Sequence, residues 1–212
     1  RMAIQTYKQL KAAIADWMDR QQLVNTVPSE IEGVNIDLAN VFCTRVEGDI
    51  NRRLRVEDMV VPLFNAPVDD QNMIVLPDNV LGLRLVLVDG VDADYVTPEQ
   101  LAMGEDNYCG VPLYTRIGGQ LHFYPNLESG EQVTVVAYVT LDPLVNDTDT
   151  NWLLRKFPDV YLNGCLYEAC RYVRDDDGAM LWKGDYEQAL AGIYQADAGD
   201  RWSGSTMAVR NA

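Results

Sequence analysis

Residues 150–190 read TNWLLRKFPDVYLNGCLYEACRYVRDDDGAMLWKGDYEQAL, and they carry the clearest helical pattern in the chain. Thr150 or Asn151 can cap a short helix, because a side-chain oxygen at that place accepts a free N–H group of the first turn. Pro158 suits the first turn of a longer helix, where no N–H donor is needed. The stretch therefore predicts a short helix followed directly by a long one.

A further helix is predicted beyond the acidic segment at 175–177. Acidic side chains at a helix N-terminus complement the helix dipole, so this segment both ends one helix and starts the next. The apolar stripe before the turn is wide, as expected of a helix that packs on two partners. Its members are Leu154, Leu162 and Leu166, with Tyr161, Cys165 and Ala169 beside them; after the turn follow Trp182, Tyr186, Leu190 and Ile193.

The N-terminal part of the chain is also predicted to be helical. Thr6 and Gln9 have the spacing of a capping box, and a helix ending near Asp19 then places Leu10, Ile14 and Trp17 on one face. Pro28 is a suitable start for a second helix, in which apolar residues recur to about Arg55. Gly33 and Gly48 weaken that helix.

Between residues 58 and 146 the period changes to that of short β-strands. Turn signals separate the strands at Asp89-Gly90, Gly118-Gly119 and Ser129-Gly130, and the Gly-Gly pair is a strong two-residue hairpin signal. One short helix is predicted inside this block, at TPEQLAMG, residues 97–104.

These patterns together predict an α+β fold. Residues 1–57 and 147–198 are expected to form one antiparallel helical bundle, because each helix is too amphipathic to stand alone. Residues 58–146 are expected to form an inserted antiparallel β-sheet or sandwich. Residues 199–212 show no period and predict an extended C-terminal arm.

The composition excludes several classes of function. The 212 residues carry a formal net charge of −15, which argues against tight binding to duplex DNA. No apolar run reaches the roughly 18 residues that span a bilayer, so no membrane partner is expected. The four cysteines form no C-x-x-C pair and are expected to be buried free thiols, and the single histidine, His122, is expected to be structural.

No catalytic, metal or cofactor site is predicted. Asp147, Asp149 and Asn151 resemble the start of a calcium loop, but Trp152 and Pro158 stand where that loop needs glycine and glutamate. The acids at 175–177 fit helix capping better than metal binding. Carboxylates that pair only in space, as in glycoside hydrolases, are left open by their spacing.

Two features point to binding of another protein. Arg52, Arg53 and Arg55 form the one basic cluster, which either complements the C-terminal dipole of its helix or docks an acidic neighbour. In the C-terminal arm, apolar residues gain nothing from facing water and predict burial on a partner; they are Trp202, Met207 and Val209.

Several stretches resemble, in order, the head-to-tail adaptor (connector) proteins of tailed bacteriophages, above all those of short-tailed phages. They are TYKQLKAAIADWMDR (6–20), RVEGDINRRLRV (45–56), IVLPDNVLGLRLVLVDG (74–90), DYVTPEQL (94–101) and the segment 147–190. The resemblance runs from about Met2 to Tyr194. Its most specific part is Asn-Trp-Leu-Leu at 151–154 followed by Pro-Asp-x-Tyr-Leu.

The resemblance implies a structural protein of the virion neck, assembled in the host cytoplasm, and no enzyme. Such adaptors form a ring, usually a dodecamer, below the portal protein. They present a platform to the tail nozzle protein and in some phages to tail fibres, and their C-terminal arm commonly reaches the portal or an adjacent subunit. DNA leaves through the ring without specific binding, which agrees with the acidic composition.

Other interpretations stay open at this stage. A connector or stopper protein of a long-tailed phage is the nearest alternative. A glycan-acting enzyme that uses the β block as a binding module, and a monomeric ligand-binding protein, are alternatives from other classes.

Overall fold

The computed structural model describes residues 4–28, 35–67, 73–103 and 108–203. The chain divides into two compact units, one made of residues 1–56 with 141–212 and the other of residues 57–140. The α-helices of the described part are α1 (Tyr7–Met18), α2 (Leu38–Arg53), α3 (Pro98–Ala102), α4 (Trp152–Lys156), α5 (Pro158–Val173) and α6 (Asp176–Ser203). With the strands given below they make an α+β fold, as the sequence predicts.

Three helix starts follow from side chains close to them in sequence. At α1, the Thr6 hydroxyl accepts the Gln9 N–H at 3.4 Å, and the Gln9 side chain accepts the Thr6 N–H at 3.3 Å. The same reciprocal pair starts α3 at Thr97 and Gln100. At α4, Asn151 accepts the N–H of Leu154 at 2.9 Å. These contacts confirm the predicted starts of α1, α3 and α4, because each cap satisfies an N–H that has no partner inside its helix.

The predicted start of the second helix at Pro28 is wrong. Pro28 ends strand β1 (Thr26–Pro28), which pairs antiparallel with β2 (Asn35–Asp37). Helix α2 begins only at Leu38, where the Asp37 carboxylate accepts the N–H of Asn40 at 3.1 Å. Gly33 lies outside the described residues, and Gly48 is accommodated inside α2.

Helix α5 is the central element of the helical unit. It packs against α1, α2, α4 and α6, and its buried residues lie on several sides of the helix. Where α5 crosses α2, an added Cβ on Gly164 would lie 2.9 Å from Cγ2 of Val46. The two helix backbones therefore approach as closely as they do because Gly164 has no side chain.

The turn between α5 and α6 forms as the acidic segment predicts. Arg174 adopts the left-handed conformation that ends α5, and the Asp175 carboxylate accepts the N–H of Gly178 at 3.0 Å. Trp17 and Trp182 make an edge-to-face contact with ring centroids 5.2 Å apart, although Trp17, predicted to lie on the apolar face of α1, is 62% exposed.

The C-terminal arm differs from its prediction in its first part. Helix α6 continues through Ser203, so residues 199–203 are helical and not extended. The sequence pattern failed there because the apolar stripe that marks α6 ends at Ile193, ten positions before the helix itself ends. Met207 and Val209 lie outside the described residues.

The β unit contains two four-stranded sheets. Their strands are β3 (Val60–Pro67), β4 (Met73–Val75), β5 (Val80–Val88), β6 (Val91–Asp92), β7 (Asp94–Tyr95), β8 (Leu113–Ile117), β9 (Gln120–Tyr124) and β10 (Gln132–Val139). One sheet has the order β3-β10-β5-β6 and the other β4-β9-β8-β7, and the β7–β8 pair is the parallel one among them. Buried residues of both sheets, among them Leu121, Phe123, Val133 and Val135, form one hydrophobic cluster.

Two of the predicted turns close these sheets. Gly118-Gly119 joins β8 to β9 with Ile117 opposite Gln120, and Asp89-Gly90 joins β5 to β6 with Val88 opposite Val91. Gly90 and Gly118 have positive φ values of 79° and 60°. Glycine takes such angles without strain, which is why these dipeptides predicted hairpins correctly.

We expect the change Gly164→Ala to destabilise the helical unit by roughly 1–3 kcal/mol, the usual range for overpacking a core. The new methyl group would meet Val46 at 2.9–3.0 Å and Tyr186 at 3.1 Å, so α2 and α5 would have to move apart. Urea unfolding of the purified protein measures the effect. Adding Val46→Ala should recover part of the loss, and a Gly164→Ala variant as stable as the parent would contradict the close approach.

Candidate interaction site

The described side chains that resemble ligand or catalytic clusters have structural roles. The Asp149 carboxylate accepts the N–H groups of Val145 and Asn146 at 3.0 and 2.7 Å, so the calcium-loop-like segment is a turn. Within the part of the chain that the structure describes, no three His, Cys, Asp or Glu residues are placed to hold a metal ion. None of the described helices combines the length and the apolar character needed to cross a membrane.

Three of the four cysteines are buried as predicted, and all four are free. Cys109 is exposed, which corrects the expectation that all would be buried. Cys43 of α2 and Cys165 of α5 lie with their Sγ atoms 3.5 Å apart. The contact with Cys43, together with burial, raises the pKa of the Cys165 thiol. Cys165 is therefore protonated and a poor nucleophile at neutral pH.

A concave surface of the helical unit is a groove of about 480 Å³ lined by residues of α2, α5 and α6. Its charged lining residues are the cations Arg45, Arg52, Arg53, Arg171 and Lys183 and the acids Asp49, Glu168 and Glu187. We call this surface the basic groove. It contains two of the three arginines that the sequence singled out, brought together with cations from α5 and α6 that are far away in sequence.

Arg53 joins α2 to α6. Its guanidinium donates to Asp49 at 3.1 Å and to Glu187 at 2.9 Å. The hydrogen bond from Arg53 holds the pKa of the Glu187 carboxyl below its usual range. Tyr194 donates its hydroxyl proton to the Arg53 carbonyl at 2.6 Å, and Tyr186 donates to Asp49 at 3.0 Å. Arg53 therefore has an internal role, whatever a partner adds.

Arg52 and Arg55 differ in how accessible their side chains are to another protein. The Arg55 guanidinium donates to the Asn51 carbonyl at 2.8 Å and to the Leu54 carbonyl at 2.5 Å, so it satisfies main-chain oxygens at the end of α2. The Arg52 side chain is 71% exposed and lies 3.4 Å from Asp49. Of the three, Arg52 is the side chain best placed to meet another protein. The side chain of Trp202 lies outside the described part of the structure.

A buried polar network lies on another face of α2, and sequence reasoning missed it. Glu47 is only 7% exposed, and its Oε1 accepts the Leu144 N–H and the Tyr161 hydroxyl proton, each at 3.0 Å. Asn151 donates to the Tyr161 oxygen and to the Asp142 carbonyl, both at 2.8 Å. Burial raises the pKa of the Glu47 carboxyl, and the two hydrogen bonds oppose that rise.

One signal in the sequence could have revealed Glu47. It stands on the apolar stripe of α2, between Cys43, Val46 and Ile50 at helical spacing, where a charged residue is unexpected. An acid in such a place needs a hydrogen-bond partner in the core, because an unpaired buried charge is costly.

The model of one protein family, described as SU10 adaptor protein, matches residues 5–210 of the chain. The match includes both the helical unit and the β unit. No curated protein matches the chain.

We expect Glu47→Gln to stabilise the protein at pH 7, because the amide oxygen can accept the same two hydrogen bonds without burying a charge. The raised pKa means that the folded protein binds the Glu47 proton more tightly than the unfolded chain does. The stability from this proton is complete below the unfolded pKa of about 4.3 and is lost as the pH rises through the folded pKa. The advantage of the Glu47→Gln variant in free energy of unfolding should therefore grow between about pH 4.5 and 7.

Urea unfolding at several pH values measures this difference. As a control, Glu47→Ala should cost about 1–3 kcal/mol, because it leaves the buried N–H of Leu144 without its acceptor. A difference between the Glu47→Gln variant and the parent that does not change with pH would contradict the interpretation.

We expect Arg53→Gln to lower the free energy of unfolding by about 1 kcal/mol, the upper end for partly exposed ion pairs. It removes the bonds to both Asp49 and Glu187, whereas the matched change Arg52→Gln removes one long contact and should leave stability unchanged. Thermal or urea unfolding compares the two variants. Equal effects would show that Arg53 does not hold α6 on α2.

Proposed function

The chain belongs to the SU10 adaptor protein family, and on that premise we propose that it is the phage protein that joins the portal to the tail as a ring. The family places it among the head-to-tail adaptors of phages and gives it a structural role at the virion neck. The proposal adds a short-tailed phage, a dodecameric ring, the portal protein above it and the tail nozzle protein below it, with tail fibres as a further attachment.

The extent of the family match is the observation that carries the proposal. A match over residues 5–210 includes all described helices and strands, so the likeness to the family extends over both units. The stretches that resemble known adaptors are spread over the same elements, from α1 to α6. A match confined to a single helix or strand would show only that this segment resembles the family.

The charge of the chain supports the passage of DNA through such a ring. Duplex DNA carries about one negative charge per 1.7 Å of its axis, and proteins that hold it tightly place clustered cations on its phosphates. This chain carries a net charge of −15, and the group of cations in the basic groove is partly neutralised by Asp49, Glu168 and Glu187. We propose that the ring channel lets DNA slide without holding it.

Attachment to tailless heads tests the adaptor role. Heads from a phage whose copy of this gene is deleted contain the portal, and purified chain added to them should bind at the portal vertex and restore tail attachment. Quantitative gels should give twelve copies per head if the ring is a dodecamer. Heads assembled without portal are the control and should bind none. Absence of binding to portal-containing heads would contradict the proposed function.

Filter binding tests the proposed channel. We expect little retention of duplex DNA by the isolated chain or by the assembled ring at physiological salt, since nonspecific dissociation constants there are about 10⁻⁴–10⁻⁶ M. A matched Asp→Lys series on the exposed acids of α6 should increase retention. Submicromolar binding by the parent protein would contradict passage without holding.

A further inference from the structure

The α5–α6 pair presents two differently charged faces. On α6, Lys183, Tyr186 and Glu187 line the basic groove, while Asp185, Gln188, Ala189 and Gly192 line a shallow depression of about 390 Å³. At 100° per residue these two sets point in nearly opposite directions from the helix axis. The second surface also includes Phe157, Asp159 and Asn163, and we call it the acidic face.

The outward charge of the basic groove is positive. Its side chains Arg45, Arg52 and Arg171 are 60%, 71% and 50% exposed. Of the acids among them, Glu168 and Asp49 are more withdrawn, with side chains 10% and 31% exposed, whereas Glu187 is 45% exposed and is bound by Arg53. In a chain with a net charge of −15, an exposed group of arginines is a local exception that suits an acidic partner.

The acidic face carries the opposite charge. Its charged lining residues, Asp159 and Asp185, are both acids and both exposed. Asp159 stands in the first turn of α5, where it also complements the helix dipole. Asp185 stands well inside α6, where the dipole gives no reason for an acid.

A glycine on the acidic face, Gly192, gives a second observation. Gly199 lies two turns further along the same side of α6, and a Cβ added to either would meet nothing within 4 Å, as is also true of Gly184. Glycine inside a helix costs roughly 0.5–1 kcal/mol relative to alanine. No contact within the described chain requires glycine there, whereas a neighbouring chain that approaches α6 closely would.

From these observations, and on the basis of the proposed ring, we infer that the subunits associate head to tail through these two faces. The acidic face of one copy packs into the basic groove of the next copy. Two different and complementary faces on opposite sides of one element make a heterologous contact, which closes into a ring when the rotation between copies allows it. The partner of both faces is therefore a second copy of this chain.

Charge reversal on assembled heads tests the contact. The basic-groove variant Arg52→Glu with Lys183→Glu, and the acidic-face variant Asp185→Lys, should each reduce the copies retained on portal-containing heads roughly tenfold, in line with the cost of disrupting interfacial charge pairs. A chain carrying all three changes has complementary faces again and should recover most of the retention. The matched control Glu128→Lys changes an exposed acid in the β unit and should assemble like the parent.

A glycine pair tests the close approach. Gly192→Leu should block assembly while leaving the melting temperature of the free chain unchanged or higher, because leucine favours a helix more than glycine does. Gly184→Leu is the control, since Gly184 is also exposed on α6 but lines neither face. A melting curve for each variant shows that it is folded before its assembly is measured.

The outcomes separate the interface from the proposed function. If heads retain the parent protein but also retain all charge variants and Gly192→Leu equally, the inferred interface is wrong and the adaptor role stands. If portal-containing heads do not retain the parent protein, the adaptor role is wrong and the interface, which rests on it, is wrong too. Loss in the single-face variants with recovery in the combined variant supports both.

Discussion

Two side chains of α2, Glu47 and Asn51, accept the main-chain N–H groups of Leu144 and Leu141, each at 3.0 Å. They stand four positions apart, hence on one face of the helix. The helical unit is discontinuous in sequence: the chain leaves it at Val56 and re-enters at Leu141. These bonds fix the position of residues 141–144 against α2. Helices α4, α5 and α6 come later in the sequence, so their placement in the unit depends on that position.

Further contacts inside the helical unit depend on the position of residues 141–144. Asn151 and Tyr161 continue the Glu47 network into the start of α4 and the middle of α5. One turn further along α5, Gly164 allows contact with α2, and Arg53 then ties α6 to the end of α2. The basic groove lies among these three helices. Its shape thus depends on a buried carboxylate that contributes nothing to its surface.

The sequence predicted well those features whose causes lie close together along the chain. The caps at Thr6 and Asn151, the short helix at residues 97–104 and the Gly118-Gly119 turn each depend on a few neighbouring residues. The start of α2 was missed because Pro28 is a plausible helix start and only the pairing of β1 with β2 excludes it. The pairing of Glu47 joins residues 97 positions apart, so no local pattern contains it. For the same reason the sequence revealed the basic cluster of Arg52, Arg53 and Arg55, but not the different contacts that each of these arginines makes.

Discontinuity of the helical unit also sets an order of events on the ribosome. Residues 57–140 are contiguous and form their own hydrophobic cluster, so they can fold as soon as they have emerged. Helices α1 and α2 are synthesised earlier, but the surfaces that cover their apolar faces lie in α5. At a synthesis rate of roughly 5–20 residues per second, α5 follows α2 after several seconds, and the apolar faces of α1 and α2 stay exposed until then. During that interval the exposed apolar surface of the nascent chain is open to association with neighbouring nascent chains or with chaperones.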